Sequence, residues 1–538
     1  MARNGVSSRV VSAALILGAA SLGSRFMGLI RERVFTTTFG AGDTFDAFVA
    51  AFRLPDLIFN LVVVGALSAA FIPLFTEKLV HSKDKKKREA FDFSLSVLHL
   101  VLIVVIIFSI LYVMLADKIV PLITPGFSGG KLAMTIMLSR VMALQPILLS
   151  ISFIFSGVLN SFKRFVAYAM APILYNVGII IGVVWLVPMM GVSGLGWGVV
   201  LGAALHMLVQ LPSAIAVGWR WRLIMEWSSV DVKKLRRMII PRIFGLAGTQ
   251  VNLFLVTIIG SGLAAGTISV FHLASNVQSL PIGVFGLAFA QAAFPTLAEQ
   301  VARGQEKEFR NTLTKTFRYI LFLVVPVAVF FFLLRAQLIR VLFGDGAFDW
   351  EDTILTFETL GLLLISLFAQ ATVPLLTRAF YVRQNTIIPV TVSLISIVVN
   401  VALAIWLAPR MGVQGLALAF SVAAILNLVM LLGVLHWQLN GFNDREVLFS
   451  LARITVAAVL AGMVLQALKY PVAAMVDMTR FWGVLLQLLV SFGGGVAAYV
   501  AMCLLFRCDE LAAIRKYLPR RAKIEAGTET PRFGGMLE

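Results

Sequence analysis

Val187-Pro188-Met189-Met190-Gly191-Val192-Ser193-Gly194-Leu195 returns 221 residues later as Ala408-Pro409-Arg410-Met411-Gly412-Val413-Gln414-Gly415-Leu416. A second echo, Ala69-Ala70-Phe71 with Pro73 and Glu77, recurs as Ala292-Ala293-Phe294 with Pro295 and Glu299, at a shift of 222 or 223. Two separate matches at almost one offset identify a duplicated unit. Each copy holds six apolar runs. Because six is even, both copies insert the same way up, which relates the halves by an axis along the membrane normal and leaves a cavity between them.

The runs themselves follow from composition. Of the 538 residues 59% are hydrophobic and only 13% are charged, against about 25% charged in soluble domains. Stretches of roughly 20 apolar residues each span a bilayer core of about 30 Å, so helix count is the useful unit of size. Fourteen are expected, over 10–38, 44–76, 91–116, 132–159, 166–187, 193–217, 239–260, 268–298, 312–334, 353–377, 386–407, 413–435, 448–468 and 481–506. The fold class is therefore an all-α polytopic membrane protein. It divides into an N-terminal lobe of helices 1–6 (1–217), a basic interfacial linker (218–238), a C-terminal lobe of helices 7–12 (239–437), helices 13–14 (438–506) and a basic tail (507–538). The apolar start with Gly18-Ala19-Ala20-Ser21 resembles a cleavable signal peptide, but it runs on without a polar break to residue 38 and is read as a retained helix.

The net charge of +18 first suggests a nucleic-acid partner, and its distribution argues against one. With the N-terminus in the cytoplasm, 32 of the 45 Lys and Arg fall in cytoplasmic segments and only 7 on the opposite face, as the positive-inside rule requires. This predicts a multi-pass membrane protein with both termini in the cytoplasm, an even number of helices and membrane lipids around it. Cys503 and Cys508 sit together at the end of the last run, so neither a disulfide framework nor a metal-ligand spacing is present, and no cofactor is expected. Segment 228–238, with Lys233, Lys234, Arg236 and Arg237, reads as a short interfacial helix joining the halves.

Charge inside the membrane costs at least ~2.5 kcal/mol per group on insertion scales and so calls for pairing or function. It is concentrated in the first two helices: Arg25, Arg31, Glu32 and Arg33 in helix 1, and Asp46, Arg53 and Asp56 in helix 2. Seven residues make nearly two turns, so Asp46, Arg53 and Asn60 share one face. Asp56, three residues from Arg53, is within reach of it as a partner. Pro55 and the glycines of helix 1 permit bends where helices line a cavity. The set predicts an arginine-lined site for an anionic group, since guanidinium offers paired bonds to phosphate oxygens. Arg33 is near enough to a helix end to snorkel. Arg140 and Arg453 read as interface anchors, and His99, His206 and His272, each alone on an apolar helix, as packing.

The run Ser24-Arg25-Phe26-Met27-Gly28-Leu29-Ile30-Arg31-Glu32, then Phe39-Gly40-Ala41-Gly42, Asp46-Ala47-Phe48 and Phe52-Arg53-Leu54-Pro55, resembles the start of the MurJ/MviN family of lipid II flippases. So does Leu280-Pro281-Ile282-Gly283-Val284-Phe285-Gly286-Leu287-Ala288 in helix 8. The likeness implies a member of the multidrug/oligosaccharidyl-lipid/polysaccharide exporter superfamily. Such a protein moves undecaprenyl-pyrophosphate-linked peptidoglycan precursor from the inner to the outer leaflet by alternating access, possesses no enzymatic activity, and has cell-wall synthesis proteins as candidate partners. It carries the family's essential helix 1 arginines onto Arg25 and Arg31, the helix 2 aspartate onto Asp46, and a basic residue before Leu-Pro onto Arg53.

The chain also departs from the family. Helix 8 usually reads Tyr-Ala-Asp-Arg, whereas here it reads Leu273-Ala274-Ser275-Asn276, so Asn276 stands where a cationic ligand is expected. Charged residues later in helix 2 are replaced around Phe59, Asn60 and Val64. Where some members bind sodium, Val256, Asn400 and Ala404 stand without the helix 7 acid. Two alternatives stay open within the superfamily, a flippase for another polyprenyl-linked saccharide and a cation-coupled exporter; the arginines weigh against the latter. A membrane enzyme would need a catalytic cluster in an interfacial loop, and the short loops hold no His-Asp or multi-carboxylate group. A non-transporting scaffold predicts no effect of substituting Arg25.

Overall fold

The computed structural model describes residues 2–64, 71–80, 84–439, 441 and 443–512. Ala69 and Ala70 of the second echo, Lys83 of the first basic cluster and the tail beyond 512 lie outside these residues, as does the side chain of Val64. Within them the chain is helical from end to end. We label the passages α1 (Ala2–Phe39), α2 (Asp43–Ile58, then Phe71–Val80), α3 (Asp84–Ile123), α4 (Gly129–Met142 and Gln145–Ser161), α5 (Phe165–Ile181 and Val187–Met190) and α6 (Ser193–Leu208 and Leu211–Ala216). There follow α7 (Val230–Ser261), α8 (Thr267–Pro281 and Ala288–Ala302), α9 (Glu306–Leu333), α10 (Trp350–Leu364 and Leu367–Val382), α11 (Ile387–Met411), α12 (Val413–Gln438), α13 (Asp444–Met475) and α14 (Phe481–Leu505).

These passages coincide in order with the expected fourteen spans. Ten are long and apolar enough on their own to cross a membrane, or eleven when the two halves of α10, bent by 45°, count as one. The other three are α1, α2 and α7. The linker differs from expectation: residues 228–238 are not a separate interfacial helix, because α7 begins at Val230 and runs unbroken to Ser261. Ser229 caps its start, accepting from the Val232 N–H, and Asp231 lies in the first turn, where a carboxylate favours the helix dipole.

The duplication extends further than the echoes. α2 loosens into a π-helical segment at Phe59–Val64 and α8 into one at Ile282–Leu287, and both bounds differ by 223. Both of these π segments follow a proline, Pro55 or Pro281, which removes a helix donor and leaves the turn to widen; a third, Gly182–Leu186 in α5, follows Ile181 and has no counterpart in α11. In α8 the widened turn brings Gly286 so close to Ala371 of α10 that any β-carbon would strike its backbone.

Packing is tight at one end of the molecule only. A single apolar core joins Phe35, Phe45 and Phe48 of the first two helices to Val270, Phe271 and Leu273 of α8. Toward the other end a separate core, with Phe71, Phe75, Phe93 and Phe155, belongs to the N-terminal lobe and takes in only Trp219 of the linker and Val232 and Leu235 from the start of α7. α13 and α14 bury a third face against Phe322 and Phe330 of α9. The lobes therefore meet at the end carrying the α1–α2 and α7–α8 loops and part toward the other, which leaves a space between them.

Candidate functional site

A cavity of about 660 Å³ opens in the N-terminal lobe, where it faces α8. Its lining comes almost wholly from α1 to α6: Arg31 and Glu32 on α1, Phe52, Arg53, Asp56 and Asn60 on α2, Gln145 on α4, Tyr168 and Tyr175 on α5, and His206 on α6. His272 of α8 is the one lining residue, among those described, that belongs to the C-terminal lobe. Two cationic and two acidic side chains face the space, so the arginine-rich reading of the helices does not translate into a cationic cavity.

The charges are held as follows. Arg31 pairs with its neighbour Glu32. Glu32, only 3% exposed, also accepts from Asn276 Nδ2 at 3.3 Å and lies 3.3 Å from His272 Nε2, while Asn276 and His272 are 3.0 Å apart. One buried carboxylate thus ties α1 to α8. Arg53 does not pair with Asp56 as their spacing suggested; its Nε donates to Thr257 Oγ1 of α7 at 2.8 Å. Asp56 instead accepts from the Gln145 amide at 3.2 Å. Asn60 donates to the Asp56 carbonyl at 2.8 Å, back-bonding within the π segment.

Asp46 shares a helix face with Arg53 and Asn60 and yet lies outside the cavity. It is 1% exposed and seals the closed end. Its Oδ2 accepts from Lys131 Nζ at 2.9 Å and the Gly266 N–H at 2.8 Å, and its Oδ1 accepts from the N–H and Oγ of Ser269 at 2.8 and 2.9 Å. A carboxylate from one lobe therefore caps the first turn of α8 in the other, satisfying donors that the helix leaves free. Gly266 is required there. Its φ of +86° is left-handed, and a β-carbon would strike the Ala41 carbonyl.

Two more contacts reinforce this end. Arg33, expected to snorkel, donates across the interface to the Val341 carbonyl at 2.5 Å and to Asp345 at 3.1 Å. The Ala41 N–H donates to Asp352 at 2.8 Å. Arg25 also lies outside the lining. It is partly buried, its guanidinium packs against Gly283 in the α8 π segment, and among the described residues it has no hydrogen-bond partner. Where some family members bind sodium, Asn400 donates to Asn252 at 2.6 Å.

The structure thus brings together Arg31, Arg53, Asp56 and Asn60 in the cavity, sets Asn276 beside it, and sends Asp46 and Arg25 elsewhere. Sequence reasoning missed Glu32, His272, Thr257, Gln145 and Lys131 as parts of these networks. Usable signals existed for Glu32, already marked as charge inside the membrane, and for His272, which stands one turn before Asn276 on the same helix face.

The family model described as lipid II flippase MurJ matches residues 35–486. The chain belongs to the MurJ family. A probable lipid II flippase MurJ from Rhizobium tropici is 33% identical over 84% of this chain and 85% of its own length. One from Vibrio cholerae is 30% identical over 93% and 97%, and the lipid II flippase MurJ of Burkholderia cenocepacia is 28% identical over 84% and 89%. Among solved structures, a lipid II flippase MurJ in an inward closed conformation superposes with a TM-score of 0.75 at 21% identity, covering 92% of this chain and 99% of that one. An inward-facing multidrug-resistance transporter of the MATE family gives 0.63 at 14% identity, over 78% and 96%. Those likenesses show the fold, which MurJ proteins share with MATE exporters.

Proposed function

We propose that this protein is a lipid II flippase that carries the polyprenyl-pyrophosphate-linked precursor from the inner to the outer leaflet by alternating access of its two lobes. One observation carries the reading: a cavity of about 660 Å³ in the N-terminal lobe, lined by Arg31 and Arg53 and bordered by His272 of the other lobe, beside an interface whose polar latches can be broken. Family membership over residues 35–486 supports lipid II as the cargo. With both termini cytoplasmic in a bacterial inner membrane, the sealed end is the outer one, and the cavity is positioned to load from the inner leaflet.

In this reading the N-terminal lobe is 1–217, the C-terminal lobe 239–437, and 438–506 adds the helical pair α13 and α14. Arg31 and Arg53 serve as pyrophosphate ligands, since fixed guanidinium donors replace hydration lost on entering the cavity. Arg25, with no competing partner, waits at the α8 side to engage the anion as the lobes move. Asp56 opposes the arginines and aids release. Asn60 and Asn276 contribute uncharged contacts. The protein works without catalysing covalent chemistry, among membrane lipids and beside cell-wall synthesis proteins that consume its product.

A second reading, a flippase for another polyprenyl-linked saccharide, draws support from the replacement of the family's helix 8 cation by Asn276. Complementation separates them. A conditional lipid II flippase depletion strain should regain growth and shape on expression of this chain. Failure despite correct membrane insertion favours the other saccharide.

A further inference from the structure

We infer that Thr257 of α7 is the residue by which the C-terminal lobe positions Arg53, presenting the end of its guanidinium to the pyrophosphate and keeping it off Asp56. The inference rests on the flippase reading and deepens it. Thr257 is fully buried and is not part of the cavity wall, so it acts through Arg53 and not on the cargo.

The bond between them has a fixed sense. Thr257 Oγ1 donates its one proton to the Leu253 carbonyl at 3.0 Å, which leaves the oxygen only as an acceptor toward the other lobe. It accepts from Arg53 Nε at 2.8 Å, and among the described residues Thr257 is the only hydrogen-bond partner of Arg53. Occupying Nε leaves the two terminal nitrogens, the pair that matches two phosphate oxygens.

Thr257 is held in place by the way its neighbour on α7 is engaged. Ser261, one turn on along that face, donates to the Ile258 carbonyl at 2.8 Å and accepts from the Gly126 N–H of the α3–α4 connection at 3.2 Å. A β-carbon on Gly126 would strike the Ser261 carbonyl, so α7 lies hard against the N-terminal lobe here. Two hydroxyls on one face of α7 thus use their protons within their own helix and offer lone pairs to donors of the other lobe.

Without that hold the Arg53 side chain has another place to go. Asp56 lies three residues on, within reach along α2, and its side chain accepts from Gln145 alone, at 3.2 Å. A released arginine folds onto that carboxylate, and the ion pair competes with the pyrophosphate for the same nitrogens. Thr257 therefore decides whether Arg53 serves the cargo or its own helix.

The test measures equilibrium binding of two pyrophosphate diesters to the purified full chain in nanodiscs, lipid II and a farnesyl-pyrophosphoryl N-acetylglucosamine that lacks the peptide. Thr257→Val keeps the shape and removes the acceptor, and should weaken binding of both probes about tenfold, the scale of one charge-assisted hydrogen bond. Thr257→Ser retains the hydroxyl and should bind close to the wild type. Placed on Arg53→Ala, Thr257→Val should cost nothing further; placed on Asp56→Asn it should cost far less than in the wild type, because the competing charge is gone. Tight binding by the double variant with Asp56→Asn also shows that the valine chain is folded.

Wild-type affinity in Thr257→Val overturns the proposal, as does a full-sized loss in either the Arg53→Ala or the Asp56→Asn background, which is what a merely structural role produces. The expected pattern with the short probe and no binding of lipid II supports Thr257 and overturns the lipid II reading. Binding of neither probe by the wild type overturns both.

Discussion

Two carboxylates ten residues apart on α2 have opposite lives. Asp46 at the closed end accepts four hydrogen bonds, from Lys131, the Gly266 N–H, and the N–H and Oγ of Ser269. Asp56 in the cavity accepts from Gln145 alone, at 3.2 Å. A buried charge with every lone pair answered is part of the scaffold, and removing it strands its partners. A charge kept sparsely bonded beside two arginines has capacity left for a ligand or for competition with one. The lesson is that in-membrane charge is functional in two senses, and partner number separates them.

The largest expected effect breaks the first member of the pair. Asp46→Ala leaves the first turn of α8 without its acceptor and Lys131 with Asp43 alone, at 2.7 Å, and deletion of one partner from a buried ion pair costs up to roughly 3–5 kcal/mol. Thermal unfolding should fall sharply and leaflet-resolved flipping should be abolished at matched expression. If Asp46→Ala unfolds and flips like the wild type, the latch is not structural.

Next come the cavity cations. Arg53→Ala removes a donor worth about 1.5–3 kcal/mol, so lipid II affinity should drop by about one to two orders of magnitude. Arg53→Lys should do little better, because an ammonium cannot both keep the Thr257 bond and offer a second prong. Wild-type affinity in both variants removes Arg53 from the binding set.

Asp56→Asn sharpens the comparison directly. Its fold should be unaffected, its cargo affinity several-fold tighter and its turnover slower, because the amide can no longer compete for the arginines; the checks are unfolding temperature, equilibrium binding and flipping rate on one preparation. A destabilisation comparable to that of Asp46→Ala erases the distinction drawn here. The smallest effect belongs to Arg480→Ala. This ion pair with Asp477 is exposed on both sides, 81% and 51%, and surface pairs screened by water contribute little. Flipping and unfolding should match the wild type, which makes the variant a control for charge removal as such.

What the sequence determined by itself was whatever depends on one helix at a time. Apolar runs of bilayer length located the passages, the even-numbered repeat suggested two lobes, and the cost of charge in lipid marked α1 and α2 as the pair whose charges need partners. The offset of 223 between the π segments of α2 and α8 shows the duplication carrying local backbone there, whereas the π segment of α5 has no counterpart in α11. Only the tertiary structure decided which neighbour each charge meets. A period of 3.6 residues assigns Asp46, Arg53 and Asn60 to one face, but seven residues of helix rise about 10 Å and fourteen about 21 Å, far enough for one face to run from a sealed interface into an open cavity. The partners that tell those places apart, Gly266 and Ser269 for Asp46, Thr257 for Arg53 and His272 for Glu32, lie more than 200 residues away in the chain. They come into reach only when the two lobes pack together at one end.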